Sequence, residues 1–195
     1  RGITPEAEAL MEAFWPGPMT LIFQKAPEVP LETTGGLETV AVRMPSHAGA
    51  RELIRQAGVP VAAPSANTSG RPSPTREEHV KEDLDGKIDV IIDGGQVGIG
   101  IESTIIDLTE DVPVILRPGY ITKAMAEQVV GEVRMDPGLS GKDPSKHPKA
   151  PGMKYRHYAP KADLSIVEGP QEEVIDCINR LTREAAAKGL KAGII

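Results

Sequence analysis

The chain has 195 residues, of which 39% are hydrophobic and 26% are charged, and its formal net charge is -6. This balance is typical of a folded globular protein, and no apolar run approaches the roughly 20 residues that a membrane-spanning helix needs. The excess of acidic residues argues against a surface that is basic throughout and built for nucleic acid. Since the first residues carry no signal-peptide pattern, we expect a cytoplasmic protein without membrane contact.

The first part of the chain predicts one helix followed by two strands. "ITPEAEALMEAF" has apolar residues at helical spacing, with Thr4 as the N-cap and Pro5 in the first helical position. "TLIFQK" and "TVAVRMP" are rich in apolar and β-branched residues, which is typical of strands. We expect the two strands to be joined through a turn at the neighbouring glycines 35 and 36.

The middle of the chain alternates between helical and strand patterns. Helices are predicted for "SHAGARELIRQAG", which ends at Gly58, for "SPTREEHVKEDL", which is capped by Ser73 or Thr75, and for "ITKAMAEQVV". Strands are predicted for "VPVAAPS", "KIDVIIDGG", "STIIDL" and "VPVILRPG", the last two as a hairpin. Residues 1–135 are therefore predicted to form an α/β domain with a twisted, mixed sheet.

The composition changes after residue 135. Residues 136–160 contain five prolines and almost no aliphatic side chains, which predicts a linker. Its basic residues suit phosphate groups, and they suit a solvated connector equally well. "LSIVEG", a long helical run and "LKAGII" then have the strand, helix, strand order of a parallel crossover unit, so residues 161–195 are predicted to begin a second α/β domain. Both ends of the chain read as internal to a longer polypeptide.

Polar and basic side chains gather at the ends of several predicted strands. "APSANTSGRPSPT" combines hydroxyls, an amide and free backbone N–H groups in a way that suits phosphate oxygens, although an ordinary turn uses the same residue types. Arg43 and Arg117 each end an apolar strand, and Ser103 begins another. Because a guanidinium can bind a carboxylate or a phosphate through two parallel hydrogen bonds, these positions together predict a site for an anionic ligand.

Six motifs in a fixed order make a more specific signal than any one of them. They are "FWPGPMTLIF", "VAVRMP", "PVAAPSANTSGRPSPT", "ESTIIDL", "ILRPG" and "APGMKYRHYAP". The set resembles the YrdC-like family, in the long two-domain form of the threonylcarbamoyl-AMP synthases, from about Thr4 to Pro160. The unit after the linker resembles the start of that form's small, parallel, Rossmann-like C-terminal domain, and the linker itself would be a lid.

The resemblance implies an activity and its partners. The expected reaction makes threonylcarbamoyl-AMP from L-threonine, bicarbonate and ATP, releases pyrophosphate and uses Mg²⁺ with the ATP. The product is expected to pass to a threonylcarbamoyl transferase for the t6A modification of tRNA, and a direct contact with tRNA is a further expectation. No covalent nucleophile is needed, because positioning, exclusion of water and charge neutralisation can carry this chemistry.

The resemblance also implies which residues form the site, while no metal ligand is assigned. The residues expected at ATP are Thr39, Ser65, Asn67, Ser73, Arg117, Lys154, Tyr155, His157 and Tyr158. Those expected at threonine are Arg43, Ala63 and Ser103. The family also carries a Lys-x-Arg motif upstream of its first helix, and no such segment precedes the helix predicted here, so we expect these 195 residues to release little pyrophosphate by themselves.

Two other functions stay open at this point. One is an RNA-binding module of the same fold without synthase activity, although an aromatic content of 3% offers few stacking platforms for bases. The other is a carbamoyl-transferring relative of the hydrogenase-maturation type. Such a relative would carry paired zinc-binding cysteines, whereas this chain has one cysteine.

Overall fold

The computed structural model describes residues 2–140 and 163–194 and divides into two compact units, Arg1–Ala159 and Pro160–Ile195. The helices are α1 (Pro5–Phe14), α2 (Leu31–Thr34), α3 (Ala48–Ala57), α4 (Glu77–Leu84), α5 (Lys123–Val130) and α6 (Gln171–Ala187), with a 3₁₀ helix at Pro137–Ser140. The strands are β1 (Met19–Gln24), β2 (Thr39–Val42), β3 (Thr104–Asp107), β4 (Val114–Arg117) and β5 (Arg134–Met135). Of these elements, α6 alone belongs to the second unit.

The five strands form one mixed sheet in the order β2-β1-β3-β4-β5. β1 runs antiparallel to β2 and parallel to β3, while β4 runs antiparallel to β3 and parallel to β5. The predictions of an α/β fold with a mixed sheet and of a hairpin formed by "STIIDL" and "VPVILRPG" are confirmed.

Helices α1 and α5 cover one face of this sheet. The main buried cluster on that face includes Leu10, Leu21, Ile106, Ile115 and Ala126. The opposite face carries a smaller buried cluster of Ile22, Ile105 and Leu116. Directly paired residues of neighbouring strands lie on the same face of a sheet. Thr20 of β1 pairs with Ile105 of β3, so it lies on the face of the smaller cluster.

The helix ends follow local signals in α1 and α3 but not in α4. The Thr4 hydroxyl accepts a hydrogen bond from the Ala7 N–H, as predicted, and α3 ends at Gly58 with a φ of 67°. The predicted cap of α4 was wrong, because Arg76 holds the N-cap position and provides no side-chain cap. Ser73 lies too far upstream of this helix to cap it, and its hydroxyl bonds elsewhere.

Four predicted strands have no regular secondary structure in the part of the chain that the structure describes. They are "VPVAAPS", "KIDVIIDGG", "LSIVEG" and "LKAGII", the last of them up to residue 194. An apolar pattern favours extended backbone, but a strand forms only where a neighbour supplies hydrogen-bond partners, and no described segment pairs with these four. The predicted crossover unit is therefore represented by its helix, α6.

No helix within the described ranges has the length and apolar character that crossing a membrane requires.

Candidate functional site

The first group of predicted site residues meets where β3 and β4 lie side by side. Ser103 directly precedes β3 and is buried, and Arg117 is the last residue of β4. Arg117 donates to the Ser103 carbonyl from Nε (3.1 Å) and Nη2 (2.9 Å), and from Nη2 also to the Ser103 hydroxyl (2.9 Å). The Ser103 hydroxyl lies 3.1 Å from that of Thr20 on β1. These bonds fix the guanidinium plane and leave Nη1 without a partner among the described residues.

Glu102 joins this group to the loop that precedes α4. Its Oε1 accepts a hydrogen bond from the Ser73 hydroxyl at 2.8 Å, and its Oε2 lies 3.9 Å from Arg117 Nη2. Ser73, Glu102, Arg117, Ser103 and Thr20 therefore form one connected set of side chains, which we call the strand-end network. Glu102 and Thr20 were not predicted as site residues, although both lie inside the motifs "ESTIIDL" and "FWPGPMTLIF".

The motif "RPG" at the end of β4 requires glycine at its third position, Gly119. A Cβ at this position would lie 2.6 Å from the Thr104 nitrogen and 2.7 Å from the Ser103 carbonyl carbon, so only glycine fits without a shift of backbone. The next residue, Tyr120, donates its N–H to the Glu102 carbonyl at 3.2 Å. The close approach presses the two motifs "EST" and "RPG" together and positions the strand-end network.

The loop "PSANTSGR" is shaped largely by Asn67. The Asn67 amide group donates to the Thr68 carbonyl at 2.9 Å and to the Arg71 carbonyl at 3.1 Å. Its Oδ1 is buried and has no hydrogen-bond partner. The Asn67 N–H closes a turn with the Ser65 carbonyl at 3.0 Å, while the Ser65 side chain is exposed. In this structure the Asn67 side chain bonds to its own loop.

Asp83 of α4 binds the same loop through two of its residues. It is buried, and it accepts a hydrogen bond from the Thr68 N–H at 3.1 Å and forms an ion pair with Arg71. Arg71 also donates to Glu82 at 2.9 Å, and this hydrogen bond, together with the charge of Asp83, raises the pKa of the Arg71 guanidinium. Neither Asp83 nor Arg71 was predicted as a site residue from the sequence.

Two further predicted site residues lie at the ends of β2: Thr39 is its first residue, and Arg43 directly follows its last residue, Val42. Val42 pairs with Leu21, the neighbour of Thr20 in β1. Arg43 is exposed and makes no side-chain hydrogen bond within the described ranges. Thr39 begins the strand and lies four residues away, roughly 13 Å along it. The structure does not bring Thr39 into the strand-end network.

A cavity of about 290 Å³ lies beside α4 and the loop. Its lining includes Ala66, Pro74, Val80, Ile92 and Val97, with Thr75 and Arg76 among the polar members. This cavity is open to solvent, since Ile92 on its wall is 72% exposed.

The structure thus joins three of the predicted site residues, Ser73, Ser103 and Arg117, through Glu102. Ala63 and Ser65 lie exposed in the segment that leads to Asn67. Lys154, Tyr155, His157 and Tyr158 lie outside the described residues. No group of three or more His, Cys, Asp or Glu side chains that could hold a metal ion occurs in residues 2–140 or 163–194.

The fold and the strand-end network define an α/β protein with a mixed sheet and an arginine-bearing polar site at its strand ends. Two family models match the chain: "Telomere recombination" over residues 2–119, and "Threonylcarbamoyl-AMP synthase, C-terminal domain" over residues 121–195. The chain belongs to the YrdC-like family that the first model represents, and the resemblance seen in its motifs is confirmed.

Similar proteins from distant organisms bear the name threonylcarbamoyl-AMP synthase. Threonylcarbamoyl-AMP synthase of Pyrococcus abyssi is 53% identical over 193 residues, which are 99% of this chain and 56% of the relative. The Bacillus subtilis protein of that name is 51% identical over 196 residues, covering 100% of this chain and 55% of the relative. The crystal structure of P. abyssi Sua5 complexed with L-threonine matches with a TM-score of 0.92 at 53% identity, over 100% of this chain and 57% of that one.

This chain therefore spans about half the length of the curated relatives it matches. Their names agree with the synthase expectation and give no support to the alternative of an RNA-binding module without that activity.

Proposed function

We propose that the protein synthesises threonylcarbamoyl-AMP from L-threonine, bicarbonate and ATP and releases pyrophosphate. The observation that carries this proposal is the strand-end network, in a chain whose relatives bear the name of that enzyme. Three side chains expected at ATP and threonine from sequence are hydrogen-bonded or ion-paired there around one glutamate. The structure of a relative complexed with L-threonine supports threonine as the amino-acid substrate.

Arg117 supplies the positive charge that the phosphates need. Its side chain is only 21% exposed, so little water screens its charge. Two of its nitrogens are committed to Ser103, and Nη1 carries two N–H donors that can meet phosphate oxygens. We propose that Arg117 stabilises the negative charge that develops as pyrophosphate leaves. Mg²⁺, which prefers phosphate oxygens and water, enters with the ATP in this proposal.

Arg43 is the candidate for the threonine carboxylate. It follows Val42, which pairs with Leu21 next to Thr20, and the Thr20 hydroxyl lies beside that of Ser103. Arg43 makes no side-chain hydrogen bond within the described ranges, so we propose that its guanidinium is available to the threonine carboxylate. A guanidinium can hold a carboxylate through two parallel hydrogen bonds. Ala63 also stays a proposed threonine contact.

The remaining parts of the proposal rest on the family. Thr39, Ser65 and Asn67 stay proposed ATP contacts, as do four linker residues: Lys154, Tyr155, His157 and Tyr158. We also propose that the protein works in the cytoplasm and hands its product to a threonylcarbamoyl transferase for tRNA modification. A direct contact with tRNA would show as binding that weakens steeply with salt, because phosphate contacts release counterions.

The decisive experiment measures pyrophosphate release by the full-length protein while each reactant is left out in turn. We expect release to require ATP, L-threonine, bicarbonate and Mg²⁺ together, and to fall when serine replaces threonine. Release that continues at full rate without threonine or without bicarbonate would contradict the proposed reaction.

A substitution at Arg43 tests the threonine side of the site. Arg43→Lys keeps the charge but loses the paired hydrogen bonds, at a cost of about 1.5 to 3 kcal/mol for bonds between charged groups. The KM for threonine should then rise by roughly 10- to 150-fold, with the KM for ATP almost unchanged. Arg134→Lys, at an exposed arginine paired with Glu132, is the matched control and should change neither. Equal rises for both substrates would show that Arg43 does not bind threonine.

A further inference from the structure

The hydrogen bond between Ser73 and Glu102 has a direction that can be worked out from its partners. A serine hydroxyl has one proton to donate, and a carboxylate has none. With Ser73 Oγ 2.8 Å from Glu102 Oε1, the proton must come from Ser73. The Ser73 oxygen is then left with its lone pairs, so it can accept a hydrogen bond from a ligand but cannot give one.

The other side of Glu102 keeps the carboxylate in this position. Oε2 faces Arg117 Nη2 at 3.9 Å, and Arg117 is itself held by three hydrogen bonds to Ser103. The Glu102 carbonyl is tied to the Tyr120 N–H. Glu102 is thus fixed through its side chain and its backbone. The backbone of Gly119 packs directly against that of residues 102–104.

We propose that Glu102 is a positioning residue that makes Ser73 a hydrogen-bond acceptor, so that Ser73 meets a donor on the nucleoside part of ATP. This inference rests on the proposed function and narrows the expectation that Ser73 lies at ATP, because it excludes the phosphates, which the residue types of the loop suggested as ligands. Phosphate oxygens are hydrogen-bond acceptors. The Ser73 hydroxyl already donates its one hydrogen bond to Glu102, so it has no donor left for a phosphate oxygen. The ribose hydroxyls and the adenine amino group of ATP are the donors that it can bind.

The experiment compares the binding of ATP with that of inorganic triphosphate, by calorimetry on the full-length protein. Ser73→Ala should weaken ATP binding about fivefold, the loss of one ordinary hydrogen bond, and leave triphosphate binding unchanged. Glu102→Gln removes a negative charge and lets an amide N–H donate to Ser73. It should weaken ATP binding about as much, without weakening triphosphate.

The double variant shows whether the two residues act together. If Glu102 works through Ser73, Ser73→Ala combined with Glu102→Gln should weaken ATP binding about fivefold, as each single change does, instead of about 25-fold. General damage to the site would weaken ATP and triphosphate alike. Glu78→Gln and Ser165→Ala, at exposed side chains, are the matched controls and should leave both ligands unaffected.

Three results would overturn the inference: weaker triphosphate binding by Ser73→Ala, independent effects of the two substitutions, or no ATP binding by the unaltered protein. The last of these would also overturn the proposed function. Conversely, a protein that binds ATP in the expected pattern but releases no threonine-dependent pyrophosphate would refute the reaction and leave the role of Glu102 standing.

Discussion

The strands of the sheet and two short runs in the segment from residue 59 to residue 101, residues 59–63 and 88–92, are all rich in apolar residues, yet they differ sharply in burial. Leu21 and Ile106 in the sheet are 0% exposed, whereas Val90 and Ile92 in the segment are 70% and 72% exposed. β1 and β3 each have a strand on both sides and helices over one face, while the segment pairs with no described strand. The difference teaches that an apolar pattern stabilises a fold only where neighbouring elements remove it from water.

The polar networks in the two regions differ in the same way. Apart from Ser73, the members of the strand-end network have backbones that belong to β1 and β4 or lie directly before β3. In the loop of residues 64–71, the contacts to the rest of the fold depend on one buried carboxylate, Asp83 of α4, which bonds to the Thr68 N–H and pairs with Arg71. We therefore expect large global effects from changes in the sheet and smaller, local effects from changes in the segment.

The largest effect should come from Leu21→Ala. Removing a fully buried leucine from β1 loses its transfer free energy and leaves a cavity, which should lower the free energy of unfolding by about 3 to 4 kcal/mol in urea denaturation. Leu53→Ala in α3 is the matched control, because Leu53 is 51% exposed and its loss should cost less than about 1 kcal/mol. Equal costs would contradict the contrast between buried and exposed apolar residues.

Gly119→Ala should have the next largest effect. The added methyl group would press against the backbone of residues 102–104, so we expect a loss of about 2 to 3 kcal/mol in stability and a marked fall in pyrophosphate release. Gly98→Ala, where a Cβ would meet nothing within 4 Å, is the control and should be nearly neutral. A stable, fully active Gly119→Ala variant would show that the two motifs do not need this close contact.

Asp83→Asn tests the buried carboxylate that holds the loop of Thr68 and Arg71. It removes the carboxylate that accepts from the Thr68 N–H and pairs with Arg71, and hydrogen bonds of charged groups are worth about 2 kcal/mol. Hydrogen exchange at the Thr68 amide should become faster, while amides of the sheet stay protected. Asp89→Asn, at an exposed carboxylate, should leave both unchanged. Faster exchange throughout the sheet would mean that loop and sheet unfold as one unit.

The smallest effect should come from Ile92→Ala in the 195-residue chain. Since most of this side chain is exposed, we expect a change in stability within about 0.5 kcal/mol. The same urea titration that measures Leu21→Ala can measure it. A loss above about 1.5 kcal/mol would show that Ile92 is buried in solution and would remove the contrast between the two regions.

Much of the first unit could be predicted because its signals are local. Periodicity and the Thr4 cap indicated α1, and runs of β-branched residues indicated β1, β3 and β4. β5 was missed, since two residues cannot carry an alternating pattern. The exposed segments were wrongly predicted as strands, because alternation does not tell whether a partner is present.

The candidate site was predictable in its parts but not in its connections. Ser103 and Arg117 were named from residue type and position at a strand end, and Ser73 was placed at ATP by the family resemblance. Glu102 looked like any charged residue before a strand, and Asp83 looked like any acid on a polar helix. Only their contacts, across 29 residues to Ser73 and 15 residues to Thr68, reveal what they do.

The sequence by itself determined the family, the helices other than α2, the central strands and the types of side chain offered to a ligand. These features depend on order, periodicity and chemical identity, which are all written along the chain. The tertiary structure alone decided which apolar runs are buried, why position 119 must be glycine, and that Glu102 joins Ser73 to Arg117. Burial and the choice of hydrogen-bond partners depend on distances between residues far apart in the chain, and those distances exist only after the sheet has formed.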